Sequence, residues 1–94
     1  MGHVGILELV FRLDGCRSLK DKRTVVRSLV DRLRHRFNVS AAEIDHQDDH
    51  ERATIGVALI ASDRDLAQRL LNGLVDYAEE TTEAELVGIH QEVL

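Results

Sequence analysis

The segment SLKDKRTVVRSLVDRLRHRF, residues 18–37, decides how the chain is read, because it combines the clearest helical periodicity with most of the positive charge. At about 100° per residue with Leu19 at zero, Leu19, Val26, Leu29, Val30, Leu33 and Phe37 fall between about −80° and +20°, one apolar stripe of the width a core-facing helix needs. Lys20, Arg23, Arg27 and Arg34 fall between about +40° and +100°, along one flank of that stripe, while Arg32 and Arg36 lie on the other. Ser18 followed by Asp21 fits an N-terminal capping pattern. Arg34, His35 and Arg36 place cations at the carbonyl end of the helix dipole, and Asn38 is the expected C-terminal stop.

The flanking segments alternate in the way strands do. In His3 to Leu13 one set, Gly5, Leu7, Leu9, Phe11 and Leu13, is apolar throughout. The opposite set, Val4, Ile6, Glu8, Val10 and Arg12, is half apolar, which is greasier than a solvated face requires. Asp14, Gly15 and Cys16 make the turn into the helix. Val39 to His46 reads as a short strand, Gln47 to His50 as a polar hairpin loop, and Glu51 to Ala61 as a central strand apolar on both faces.

Ser62 and Asp65 repeat the relation of Ser18 and Asp21 and open a second helix running to about Glu80 through Leu66, Leu70, Leu71, Leu74, Val75 and Ala78. Ala84 to Leu94 is the last strand, with Leu86 or Val87, Ile89 and Val93 among its apolar positions. The order β-α-β-β-α-β is the split βαβ arrangement, α+β and ferredoxin-like: an antiparallel four-stranded sheet in order 4-1-3-2 with two helices on one face.

A length of 94 residues with 44% apolar composition suits a single domain, residues 1–94, with one thin core. The lone Cys16 excludes an internal disulfide, and no N-terminal apolar run has the length of a signal peptide or membrane span, so a cytoplasmic protein without membrane attachment is expected. The formal net charge of −5 argues against bulk electrostatic binding to nucleic acid, but the charge is unevenly spread. Residues 12–36 hold nine of the twelve Lys and Arg against three acids, a balance of +6 that leaves −11 for the remainder. The chain is an acidic body with one basic element.

Residues 18–64, containing SLKDKR, RFNVS and EIDHQD, resemble the bacterial YlxP-like family, domain-of-unknown-function family 503, and the similarity extends over nearly the whole chain. The resemblance implies a ferredoxin-like fold and, for many members, genes lying near those for transcription elongation, translation initiation and ribosome maturation. It carries over no catalytic residue. Asp49 and His50 stand where members of the family tend to have a hydrophobic or aromatic pair, which makes this hairpin tip unusually polar.

The leading candidate site is the basic flank: Lys20, Lys22, Arg23, Arg27 and Arg34, with Arg17 from the preceding loop, as contacts for phosphates. Lys20, Lys22 and Arg23 oppose the helix dipole, a cost that invites a function. The competing reading is a solvated face or ion pairs with the acidic body. Base stacking is disfavoured, because the only aromatics are Phe11, Phe37 and Tyr77 and the first two belong to the expected core.

Asp45, His46, Asp48, Asp49 and His50 bring metal-competent side chains to the hairpin, but neither a cysteine pair nor HExxH spacing supports a metal site, and a solvated turn is the simpler reading. Asp45 or His46 could instead pair with the helix cations. His3 and His90 lie on strands expected to be neighbours, and Cys16 sits beside Arg17 in a setting expected to lower a thiol pKa. No catalytic constellation and no cofactor motif is visible.

These observations favour a non-enzymatic accessory protein that binds RNA or a ribosomal particle through the first helix. The alternative is a dimeric protein-interaction or ligand-sensing module that uses the apolar sheet face, with a two-fold homodimer expected. A metal-dependent enzyme ranks last.

Overall fold

The computed structural model describes all residues 1–94. Six elements follow in the order β1 (His3–Arg12), α1 (Leu19–Arg36), β2 (Ser40–Asp45), β3 (Arg52–Ala61), α2 (Arg64–Thr81) and β4 (Glu85–Val93). The strands form one antiparallel sheet in the order β2-β3-β1-β4, the expected ferredoxin-like α+β arrangement.

The alternation of β1 and β3 dictates where the core sits. Leu7, Leu9 and Phe11 are paired in register with Val57, Ile55 and Ala53, and all six are buried. Facing residues of an antiparallel pair share a side of the sheet, so these form its inner surface. They join Leu29 and Leu33 of α1 and Leu71 and Leu74 of α2 in one continuous core.

Both helices begin at a side-chain cap. Ser18 Oγ accepts from the Asp21 amide, while the Asp21 carboxylate accepts from the Arg17 amide, so the reciprocal half of the capping box is shifted back by one residue. Helix α2 is capped by Asp63, whose Oδ1 accepts from the Leu66 amide at 2.8 Å, and not by Ser62. Both residue types make good caps; the carboxylate has the added advantage of the helix dipole. At the other end of α1 the cap is Phe37, in extended conformation, and Asn38 does not adopt the left-handed conformation of a C-terminal stop.

Bulges shift the register at both outer strands. Val10 faces Gly88 but Phe11 faces Leu86, so Leu86 takes the inward position and Val87 falls in the irregularity. A second bulge, between Glu43 and Asp45, displaces Ile44. Bulges at outer strands limit edge-to-edge pairing.

Candidate nucleic-acid interface

The two flanks of α1 have different surroundings. On one side Arg32 donates to the Thr81 carbonyl and hydroxyl, and Arg36 lies over the Tyr77 ring at 5.8 Å, so this flank is turned toward α2. The other flank borders β2, an outer strand, where Arg23, Arg27 and Arg34 line a shallow groove with Val26, Val30 and Ala41. Asp31 and Glu43 line the same groove.

Of the six candidate phosphate contacts, Arg17, Lys20, Arg23 and Arg27 are exposed, and none of them enters any of the five ion pairs of the chain. Arg34 is exposed but donates to the Ala41 carbonyl at 2.7 Å, which ties it to the strand edge.

Lys22 departs from the expectation. It is 1% exposed, and its ammonium donates to the carbonyls of His46, Asp49 and Arg52 while lying 2.8 Å from Glu43 Oε2. All three N–H donors are thereby used. Lys22 is withdrawn from the basic flank and holds the hairpin between β2 and β3. Glu43 Oε2 is itself buried and has no partner besides that ammonium. The hairpin does meet a helix cation, as the pairing of Asp45 or His46 anticipated, but through backbone carbonyls and Glu43.

Three of the hairpin's candidate metal ligands, Asp45, His46 and Asp49, are occupied locally. Asp45 Oδ1 accepts from the His46 amide, Asp49 Oδ1 accepts from the Glu51 amide, and His46 Nδ1 lies 2.8 Å from the Thr54 hydroxyl. No three acids, histidines or cysteines of the chain converge in a way that would hold a metal ion. His46 adopts the left-handed conformation, with φ of 62°, at the start of the turn whose carbonyls Lys22 collects.

His3 and His90 do not meet: His3 faces Ala61 and His90 faces Glu8, because the β1–β4 register places Gly5 opposite Val93. Cys16 is buried, and burial pushes its thiol above the ordinary value; the charge of Asp21 adds to the rise and Lys22 opposes it. The expectation of a lowered pKa fails because desolvation outweighs the nearby cation.

The three aromatic rings offer no open platform. Phe11 is in the core, and Phe37 and Tyr77 pack edge to face at 5.7 Å. A further cleft, between the β1–α1 and α2–β4 loops, contains Arg12 and Arg32, but Arg12 pairs with Asp14 and Glu85 and Arg32 is bound to Thr81. No helix is long and apolar enough to cross a membrane.

A family model described as "Protein of unknown function (DUF503)" matches residues 4–91. The "Uncharacterized protein YlxP" of Bacillus subtilis (strain 168) is 30% identical over 82 residues, covering 87% of this chain and 89% of that protein. A match of this extent, on a chain with the β-α-β-β-α-β order and the cationic first helix, shows that the chain belongs to the DUF503 family.

Proposed function

We propose that the protein is a non-enzymatic accessory protein that binds the phosphate backbone of RNA, free or within a ribosomal particle, through the outer flank of α1. The observation that supports this reading is the set Arg17, Lys20, Arg23 and Arg27, exposed and free of carboxylate partners on an otherwise acidic chain. Lys20 to Arg27 spans about 10 Å of helix axis, enough to reach more than one phosphate. Arg34 extends the line by about another 10 Å.

The RNA is recognised by shape and charge. No aromatic face is free for bases, and an extended single strand has no concave channel here that combines cations with aromatics. A base-paired segment presents its phosphates without needing stacking partners, so it suits a convex helix flank.

Titration of the purified protein into a fluorescent RNA duplex and into a single strand of the same length, at two salt concentrations, tests the reading. With about four phosphate contacts the affinity falls roughly 100-fold between 50 and 200 mM salt. Retention of full RNA affinity in an R23E/R27E variant, or no RNA binding by the wild-type chain at the lower salt, overturns it.

A further inference from the structure

The helix-free face of the sheet is apolar over one half and charged over the other. The apolar half lies on β2, β3 and the start of β1, where Val4 faces Ile60 and Ile6 faces Ala58. Ile60 is 72% exposed and Ile44 47%. The charged and titratable residues of this face are Glu8 with His90, Glu92, and Arg12 with Glu85, toward β4 and the far end of β1, together with Arg52 and Asp45 at the hairpin ends of β3 and β2; none lies beside the Ile6–Ala58 pair except Glu8 and Glu92.

This apolar half is also flattened. The Ile44 side chain lies over Gly56, so close that a Cβ there would sit 2.9 Å from its Cδ1. Ile60 lies against Gly2 in the same way, where a Cβ would sit 3.0 Å from its Cδ1. Branched side chains laid down over glycines fill the low points of the sheet, and the smooth surface that results suits another sheet better than a protruding helix or loop.

We infer that this face is the interface with a second copy of the chain, packed sheet to sheet about a two-fold axis near the Ile6–Ala58 pair. Two observations select this occupant. The centre of the patch is uncharged, which a two-fold interface needs because residues near the axis meet their own copies. An opposite-charge partner has nothing to pair with there, whereas the Glu8, His90 and Glu92 side supplies the polar rim seen around apolar interface centres.

The area is also sufficient. Four strands at about 4.8 Å spacing and about 3.3 Å per residue give the whole face, apolar half and polar rim together, roughly 600 Å² of flat area. Two copies then cover about 1,200 Å² in all, the lower end of stable specific interfaces.

Such a dimer is a four-layer stack with the sheets inside and the helices outside. Each α1 remains on the outer surface, so the interface does not compete with the nucleic-acid reading and does not depend on it.

Sedimentation and light scattering of the intact chain near 10 µM test the inference. The expected mass is twice the 10.6 kDa of the chain, and the dimer tightens as salt rises, because screening weakens repulsion between two copies of net charge −5. A58E and I60E alter exposed side chains, so they are expected to keep the wild-type circular dichroism while weakening the dimer at least tenfold. An I89K variant, on β4, is expected to remain dimeric. A monomeric wild-type chain at 100 µM overturns the inference. So does a dimer that survives A58E and is lost in I89K, which would indicate pairing of β4 edges.

Discussion

The Lys22 ammonium lies 2.8 Å from the Glu43 carboxylate, and this contact fastens α1 to β2. The same ammonium gathers three backbone carbonyls from His46 to Arg52. Replacing Lys22 by Met leaves the buried Glu43 Oε2 without its counter-charge and takes a donor from three carbonyls, of which that of His46 keeps the Asp49 amide. Removing one partner of a buried pair costs about 3–5 kcal/mol, a large share of the 5–15 kcal/mol available to a small domain. K22M should therefore lower the melting temperature by more than about 12 °C, whereas K20M, at an exposed position, should change it little. Equal melting temperatures for the two variants would contradict the assignment.

The same contact separates stability from binding along the basic flank. Arg23 and Arg27 carry no intramolecular hydrogen bond or ion pair, so R23A and R27A are expected to leave the urea midpoint unchanged and to reduce the salt slope of RNA binding by about one each. Arg34 is bonded to the Ala41 carbonyl, so R34A is expected to weaken binding less and stability more. Identical salt slopes for R23A and wild type would remove Arg23 from the interface.

The helical wheel contained the placement of Lys22. At about −60° it lies inside the apolar stripe, between Leu29 and Leu33, not on the flank with Lys20 and Arg23. Charge type drew it to the flank, although a lysine on a buried stripe points to a buried partner. Its partner is not legible in the sequence, since Glu43 becomes an inward residue only through its pairing with Ile55, which is register information. The strand order, by contrast, was readable from the element sequence, and the doubled apolarity of β1 and β3 from their alternation. What periodicity leaves open is any one-residue choice: Leu86 or Val87 at a bulge, Ser62 or Asp63 at a cap, and whether His3 and His90 meet across a ladder.

The α2 cap gives a direct comparison of two adjacent residues. Asp63 Oδ1 receives the Leu66 amide, while the Ser62 side chain has no hydrogen bond. D63A is expected to cost about 1 kcal/mol, and S62A is expected to fall within about 0.5 kcal/mol of wild type. Urea unfolding of the two single variants distinguishes them, and a larger loss in S62A would reassign the cap.

Cys16 couples stability to pH on the alkaline side. Burial raises its folded-state pKa, so the native chain holds the thiol proton at pH values where the unfolded chain has released it. The resulting contribution is fully present below the unfolded thiol pKa and is lost as pH rises from there through the folded value. A C16A variant should show a shallower loss of stability over that interval than wild type. Alkylation of native protein at pH 8 should be slower than that of the urea-unfolded chain, and equal rates would show that the thiol is not protected.

Gly5 and Gly56 lie on opposite faces of the sheet, and this predicts different responses to the same substitution. A Cβ at Gly5 would sit 3.1 Å from Leu59 Cδ1 and 3.3 Å from Leu71 Cδ1, both on buried residues of the filled core. Neither leucine has free space to move into, so G5A is expected to cost about 1–3 kcal/mol by overpacking. The nearest atoms to a Cβ at Gly56 are Ile44 Cδ1 and Cγ2, both at 2.9 Å, and because Cγ2 is bonded to Cβ the half-exposed Ile44 side chain must change its χ1 rotamer to make room. G56A is therefore expected to change monomer stability by less than about 1 kcal/mol, the rotamer cost at Ile44 being offset by the restricted unfolded chain. Raising Ile44 off the sheet would at the same time roughen the face assigned to the second copy, so G56A should weaken the dimer while leaving monomer stability intact. Urea midpoints and sedimentation of both variants check the pair: a larger stability loss in G56A than in G5A would contradict the assignment of faces.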